Sequence, residues 1–292
     1  MLEDTFGLDI GKGAPLDQEV SDEGFHGFET FKVENISSGS GSLSAATSRS
    51  SDGILYFGFP GFSFSRGMGL IYSDTESDLW KEMVEFFSAL ADEETKGIII
   101  DMRGNEGGNV AELRVAFSAF FPAGVEKIHF ADTRRKSGEG MLEYGPWLSF
   151  EVSKDETMTR GSFNEDIPIA VLVNGESMSC AEFSVMFFST LRERYGYDVT
   201  FVGSRTKGAT GGSDEIYNAG SFEIQPYITG VHTPFCQTRY FDGTIYEGVG
   251  IGVDVDGGYS YDAFSRGDDP ALTKAVGILE EKIGQMESSF HL

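Results

Sequence analysis

The stretch GIIIDMRGNEGG, residues 97–108, decides the fold class of this 292-residue chain. Its first half is a run of isoleucines without the polar alternation of a strand that has one wet face. This predicts a strand over 97–102 that is buried on both sides. Its second half, Arg103 to Gly108, is a glycine-rich turn, and the apolar spacing from Val110 to Phe120 predicts a helix after it. A buried strand that leads through a tight turn into a helix indicates a parallel sheet in an α/β protein.

The same pattern recurs on both sides of this unit. Upstream, a strand at 54–59 ends at Pro60-Gly61 and precedes a helix with apolar positions from Leu79 to Leu90. Downstream, the sequence predicts a strand at 168–174, a sharp turn at 175–179, a helix at 180–194, a strand at 198–203 and a last helix at 269–283. The remaining predictions are a strand at 125–131, an irregular charged stretch at 132–166 with a surface loop at 134–136, and β-like segments at 222–228 and 238–245.

These elements divide the chain into two parts. Residues 51–292 form an α/β core that β-hairpins extend. Residues 1–50 form an N-terminal arm, which includes a β-like stretch at 31–36 and a polar, partly flexible run at 37–42.

Charge and composition exclude several classes of protein. The formal net charge is −25, which argues against a general binder of nucleic acid or of an anionic membrane. No apolar run approaches the roughly 20 residues of a membrane-spanning helix, and the first residues lack the basic and apolar regions of a secretory signal. Four scattered histidines without a His-Glu-x-x-His motif do not indicate a metal site, and no dinucleotide motif is present, so we expect no cofactor.

Two turns between a strand and a helix carry the candidate chemistry. They are Asp101 to Gly108 and Asn174 to Glu182. In open α/β sheets, ligands bind where strands end and the free N–H groups of helix N-termini point outward. Each turn alone also has a plain structural explanation, because glycines allow tight turns and serines such as Ser177 and Ser179 cap helices.

Together, in this order, the two turns resemble those of the carboxy-terminal processing, or tail-specific, serine peptidase family, whose relatives include the tricorn core and the repeats of interphotoreceptor retinoid-binding protein. The resemblance runs from about Asp52 to Ile283 and includes the segments 202–208, VGSRTKG, and 246–255, YEGVGIGVDV. The family's closing segment has a proline where this chain has Val253. The resemblance implies a fold of the Clp protease/crotonase type, built from β-β-α units, and hydrolysis of peptides or proteins through an acyl-enzyme.

The resemblance also implies roles for particular residues. Ser179, three residues before Glu182, corresponds to the nucleophile, and a serine at a helix N-terminus gains from the helix dipole. The backbone N–H groups of Gly107 and Cys180 are then the expected oxyanion hole, with Gly108 as a near-equal candidate. Arg103 and Asp101 are interpreted as structural.

The general base is where the chain departs from the family. Bacterial tail-specific enzymes have a lysine at the position of Ala209, and Lys207 lies two positions too early. The tricorn-like branch uses an upstream histidine and a glutamate near the carboxyl terminus. Here Glu247 falls in the matching closing segment, and His26 is a candidate base because it is the only histidine upstream of the core. The sequence leaves the base open.

Three functions remain open at this point. The first is a serine peptidase, for which the overall acidity favours a neutral or basic peptide as substrate, and the family suggests an extracytoplasmic location. The second is a catalytically silent module that binds a peptide or a small apolar ligand. The third, less favoured by the ordered motifs, is an acyl-group enzyme of the crotonase type. The oligomeric state is not indicated.

Overall fold

The computed structural model describes residues 32–38, 41–58, 61–62, 94–137, 143–154, 166–218 and 230–289. Its strands are β1 (Lys32–Ser38), β2 (Gly41–Arg49), β3 (Ile54–Gly58), β4 (Gly97–Asp101), β5 (Lys127–Ser137), β6 (Glu143–Tyr144), β7 (Leu148–Ser153), β8 (Ile169–Val173), β9 (Val199–Gly203), β10 (Ser213–Asn218), β11 (Gly230–Pro234), β12 (Cys236–Tyr240) and β13 (Val255–Asp256). Its helices are α1 (Val110–Phe117), a 3₁₀ turn (Ser118–Phe120), α2 (Cys180–Tyr195), α3 (Tyr261–Ser265) and α4 (Pro270–Ser289).

A seven-stranded sheet forms the centre, in the order β1-β2-β3-β4-β8-β9-β13. The pairs from β3 to β13 are parallel, and β1 and β2 join β3 as antiparallel strands. The mixed α/β class with a mostly parallel sheet, predicted from residues 97–108, is confirmed. A smaller sheet in the order β12-β5-β6, with β7 also on β5, packs beside α2.

The isoleucines of β4 explain why the sheet is covered on both faces. Ile98 and Ile100 point into an aromatic core that includes Phe117 of α1 and Phe187 of α2, whose rings stack with centroids 5.6 Å apart. Ile99 points the other way, into a second core built against α4. Successive side chains of a strand face opposite sides, so an unbroken apolar run needs a layer of helices on each face.

Several boundaries differ from the sequence-based expectation. The predicted loop at 134–136 is wrong, because these residues continue β5, which pairs with β12, β6 and β7. The last helix continues to Ser289, beyond the predicted end at 283. The apolar spacing that predicts the helix stops at 283, because the residues after it are mostly exposed. The predicted helix at 79–90 and the β-like segment at 222–228 lie outside the described residues, as does His26. Within the described ranges, no helix is both long and apolar enough to cross a bilayer.

A buried ion cluster ties the first turn to α4. Arg103 is 7% exposed and bonds both oxygens of Asp101 through Nε, at 2.9 and 3.1 Å. Its Nη1 donates to Asp269, which caps α4 by accepting from the Leu272 N–H. The Tyr56 hydroxyl donates to Asp101 at 2.8 Å. The cluster holds the start of the glycine-rich turn against the helix that covers the sheet.

We expect Arg103→Met to lower the free energy of unfolding by about 3–5 kcal/mol, because it leaves the Asp101 carboxylate buried without its cation. Adding Asp101→Asn should recover most of this loss, since the amide oxygen still accepts from Tyr56 and no charge remains at position 101. Urea unfolding of the single and double variants measures the difference. Equal midpoints for wild type and Arg103→Met would contradict a structural role.

Candidate active site

The two predicted turns lie side by side where β4 and β8 end. The Met178 N–H donates to the Asn105 carbonyl at 3.1 Å, so the backbones of the two turns are directly bonded. The Ser177 hydroxyl donates to the Met102 carbonyl at 2.8 Å, and Ser177 is fully buried. Ser177 therefore joins the turns and is not available to a substrate.

Ser179 has a strained backbone on the sharp turn that precedes helix α2. Its φ and ψ are 53° and −116°, and it is the only non-glycine residue with positive φ in the described part of the chain. Such a conformation costs of order 1–3 kcal/mol and persists where the surroundings enforce it, typically at functional sites. Helix α2 begins at the next residue, and the half-buried Ser179 hydroxyl makes no capping hydrogen bond. The hydroxyl is thus held at a helix N-terminus without a structural task there.

Gly107 packs directly against Ser179. A Cβ at position 107 would lie 2.5 Å from Ser179 Cβ and 2.8 Å from the Cys180 nitrogen. Its φ of +90° also favours glycine. Only a glycine lets the first turn approach the Ser179 backbone this closely.

The free N–H groups near Ser179 define a place for an anion. The Gly107 N–H donates to the Asn105 side-chain oxygen at 2.9 Å. Among the described residues, the N–H groups of Gly108 and Cys180 have no protein acceptor. Cys180 is the first residue of α2, where the N–H groups lack intrahelical partners and the helix dipole is positive. These two donors remain available for an oxygen that develops negative charge.

Glu182 is a buried acceptor that organises the loop opposite Ser179. Its carboxylate accepts from the Thr206 hydroxyl at 2.6 Å and from the N–H groups of Gly208 and Ala209, each at 2.8 Å. Burial raises the pKa of Glu182, and these hydrogen bonds, together with one from the Ser179 backbone, act in the opposite direction. The carboxylate connects α2 to the segment that contains Gly208 and Ala209.

The loop at 209–211 joins Ser179 to Glu247 of the closing segment, residues 246–255. The Ser179 N–H donates to the Ala209 carbonyl at 2.9 Å, so position 209 is adjacent to the nucleophile candidate. Glu247 accepts from the Thr210 hydroxyl at 2.9 Å and from the Gly211 N–H at 2.7 Å. The structure thus brings Ser179 and Glu247 to opposite ends of one short loop, without a direct bond between their side chains.

Within the described residues, no basic side chain is hydrogen-bonded to the Ser179 hydroxyl. Lys207 points to Glu176, with its ammonium 3.4 Å from the carboxylate, and both side chains are exposed. His129 bonds Asp132 at 2.9 Å in the smaller sheet. Nor do the described ranges contain three clustered His, Cys, Asp or Glu side chains that could hold a metal ion.

Replacing Glu182 with glutamine is expected to destabilise the loop and the Ser179 turn together. An amide NH₂ would face either the Ala209 N–H or the Gly208 N–H and the Thr206 hydroxyl, so at least one charge-assisted bond becomes a clash of donors. The loss should be about 2–3 kcal/mol in urea unfolding. In the matched control Glu176→Gln, the exposed Lys207 is the only described partner of the carboxylate, so the change should stay within about 0.5 kcal/mol. Equal effects of the two changes would contradict the role of Glu182.

The sequence analysis identifies Glu182 only as part of a motif and does not predict that its carboxylate binds the loop at 206–209. The spacing Ser-x-x-Glu at 179–182 is that of a capping box, in which the glutamate returns to the backbone N–H of the serine. That signal indicates the contact with Ser179. The contacts with Gly208 and Ala209 join residues more than 25 positions apart and have no local signal.

Comparison with known proteins identifies relatives of this arrangement. The family model of Peptidase family S41 matches residues 59–235. A nisin-resistance protein from Lactococcus lactis subsp. lactis is 26% identical over 148 residues, which cover 50% of this chain and 42% of that protein.

Two solved structures share the fold. A candidate peptidase from Parabacteroides merdae is 22% identical, with a TM-score of 0.58, over 84% of this chain and 66% of that one. A lipoprotein from Streptococcus agalactiae is 18% identical, with a TM-score of 0.52, over 82% of this chain and 70% of that one. The chain therefore spans less than half of the nisin-resistance protein and about two thirds of the two solved chains.

Proposed function

Because this chain belongs to peptidase family S41, we propose that it is a serine peptidase that cleaves peptide bonds through an acyl-enzyme on Ser179. The observation that carries the proposal is the strained backbone of Ser179, held against Gly107 at the N-terminus of α2. A structural serine has no need of that conformation, whereas a nucleophile that must project toward a substrate does. Residues 51–292 form the catalytic core of this proposal.

In the proposed reaction, the Ser179 hydroxyl attacks the carbonyl carbon of the scissile peptide bond while a base takes its proton. The oxygen becomes an oxyanion that the N–H groups of Gly108 and Cys180 stabilise. Gly107, whose N–H already donates to Asn105, allows the close approach of the two turns. Collapse of this intermediate breaks the C–N bond, and the leaving amine takes the proton. Water then hydrolyses the acyl-enzyme.

Cleavage of a peptide mixture tests the proposal. The wild type should generate new amino and carboxyl termini in a complex peptide mixture, detected by mass spectrometry, and Ser179→Ala should generate none. A mixture that stays intact with both proteins, or cleavage that persists in the variant, would contradict the proposal. Because the net charge is −25, we expect neutral and basic peptides to be cleaved at Ser179 in preference to acidic ones.

The proposed base is His26, with Glu247 as a carboxylate that orients it. The tail-specific lysine position is occupied by Ala209, whose side chain cannot accept a proton. A histidine base predicts that kcat/KM falls as the pH drops below neutrality, because the imidazolium cannot accept the serine proton. His26→Gln should lower kcat/KM about 10²–10⁴-fold and remove this limb. The control His291→Gln should leave the profile unchanged, and an acidic limb that survives in His26→Gln would contradict this assignment.

One observation favours a second function, a binding module without catalysis. This observation is the alanine at position 209, adjacent to Ser179, where bacterial tail-specific enzymes carry the lysine. If the chain only binds peptides, the peptide mixture stays intact, and Ser179→Ala leaves peptide affinity unchanged. Equilibrium binding and cleavage measured on the same peptides separate the two functions.

We also place the protein outside the cytoplasm as part of this proposal. The support is its likeness to a streptococcal lipoprotein and to a nisin-resistance protein. Protease accessibility of the protein on intact cells of its source tests the location, and protection equal to that of a cytoplasmic marker would contradict it.

A further inference from the structure

The outer face of the smaller sheet carries a ladder of cations and aromatic rings. The Arg134 guanidinium lies 4.5 Å from the centre of the Tyr144 ring and 4.4 Å from that of Trp147. Arg239 lies on Trp147 at 4.4 Å, and the Lys136 ammonium lies 5.7 Å from the Tyr144 ring. The register explains the ladder, because β5 places alternate residues on one face and pairs them with β12 and β6. We call these five residues the cationic face.

The charge of this face is opposite to that of the chain as a whole. Within the described ranges, Arg134 and Lys136 form no ion pair, and neither does Arg135 between them. Asp132 lies on the same face but is engaged by both Arg239 and His129. In a chain with net charge −25, uncompensated cations in consecutive positions are a local exception that solubility does not require.

Arg134 is also fixed in place. Its Nε and Nη2 donate to the Gln237 side-chain oxygen at 2.9 and 2.6 Å, while the two rings hold its plane. The N–H groups of Nη1 have no acceptor among the described residues. A guanidinium held in this way binds a carboxylate with little further loss of side-chain entropy.

We propose that the cationic face binds an acidic peptide segment, with one carboxylate on the free edge of Arg134 and a second on Lys136. The aromatic rings supply apolar contact to the same segment, as at protein interfaces, where Tyr, Trp and Arg are enriched. The face is distinct from the Ser179 turns, so this inference goes beyond the proposed function and does not depend on catalysis.

Fluorescence anisotropy tests this binding in the Ser179→Ala background, where the probe cannot be cleaved. The probe is a fluorescein-labelled peptide of alternating Glu and Ser, and the control probe has Lys in place of Glu. The Glu probe should bind more tightly than the Lys probe, with an affinity that falls as salt is added. Equal or tighter binding of the Lys probe would overturn the proposal.

Matched variants locate the site. Arg134→Gln with Lys136→Gln should weaken binding of the Glu probe by roughly tenfold or more, as loss of a charge-assisted contact predicts. Lys96→Gln with Arg266→Gln changes the net charge equally at exposed ion pairs elsewhere and should have less than about a twofold effect. Equal weakening by both double variants would reduce the effect to overall charge and overturn the site.

Two further measurements test the site even if the first double variant misfolds. Arg134→Lys keeps the charge but loses the planar fork, so it should bind with intermediate affinity, and wild-type affinity would contradict the role of the guanidinium. The chain has two tryptophans, so Trp80→Phe leaves Trp147 as the only tryptophan reporter. Its emission should change when the Glu probe binds, and an unchanged emission at saturating probe would place the bound peptide elsewhere.

Discussion

Peptide hydrolysis should fall by at least about a hundredfold when Gly107 is replaced by alanine, which is the effect of misplacing a catalytic group by roughly 1 Å. The new Cβ would lie 2.5 Å from Ser179 Cβ and 2.8 Å from the Met178 carbonyl oxygen. Neither neighbour is the flexible end of a side chain, so the two turns must separate. The loss should fall on kcat more than on KM, because the turns position the reacting groups.

Gly124→Ala is the matched control for this change. Gly124 also has positive φ, +75°, but a Cβ there would meet nothing within 4 Å. It should therefore show only the backbone cost of about 1 kcal/mol and wild-type hydrolysis. If Gly107→Ala retains full activity, or if Gly124→Ala loses as much, close contact between position 107 and Ser179 is not what catalysis needs.

The second large effect is expected at Ser179 itself. Ser179→Ala should lower kcat by about 10⁴-fold or more, as removal of a catalytic nucleophile does in other serine peptidases. Ser179→Gly should lower it equally, yet raise the free energy of unfolding by about 1–2 kcal/mol, because glycine adopts the positive φ at no steric cost. Hydrolysis assays and urea unfolding of the same preparations measure both effects.

Lost activity together with gained stability in Ser179→Gly would show that the strained backbone of Ser179 serves catalysis and does not stabilise the fold. A structural serine would show the reverse, with activity retained and stability lowered when its side chain is removed. Retained hydrolysis in Ser179→Gly would therefore contradict the assignment of the nucleophile, whatever its stability.

The sequence could predict the elements whose signals are local. The isoleucine run before Asp101 predicts a strand at 97–102, and the structure has one at 97–101. The apolar spacing after Cys180 predicts a helix at 180–194, and the structure has one at 180–195. Burial on both faces of a central strand and the period of an amphipathic helix can both be recognised from neighbouring residues in the sequence.

The parts that could not be predicted depend on distant partners. Arg134 continues a strand because it bonds Gln237, 103 positions away, and stacks on two rings, whereas three consecutive cations by themselves indicate a loop. The surroundings of Ser179 depend on Glu182, whose carboxylate accepts hydrogen bonds from Gly208 and Ala209 in the loop after β9. Pairing across such separations leaves no periodicity in the sequence.

The most direct test of the central claim is to map the covalent adduct that the protein forms with a fluorophosphonate, by tandem mass spectrometry of its proteolytic peptides. Activated Ser179 should carry a single adduct, which is absent from Ser179→Ala. An adduct on any other residue, or no adduct on the wild-type protein under conditions that label a control serine peptidase completely, would contradict the account.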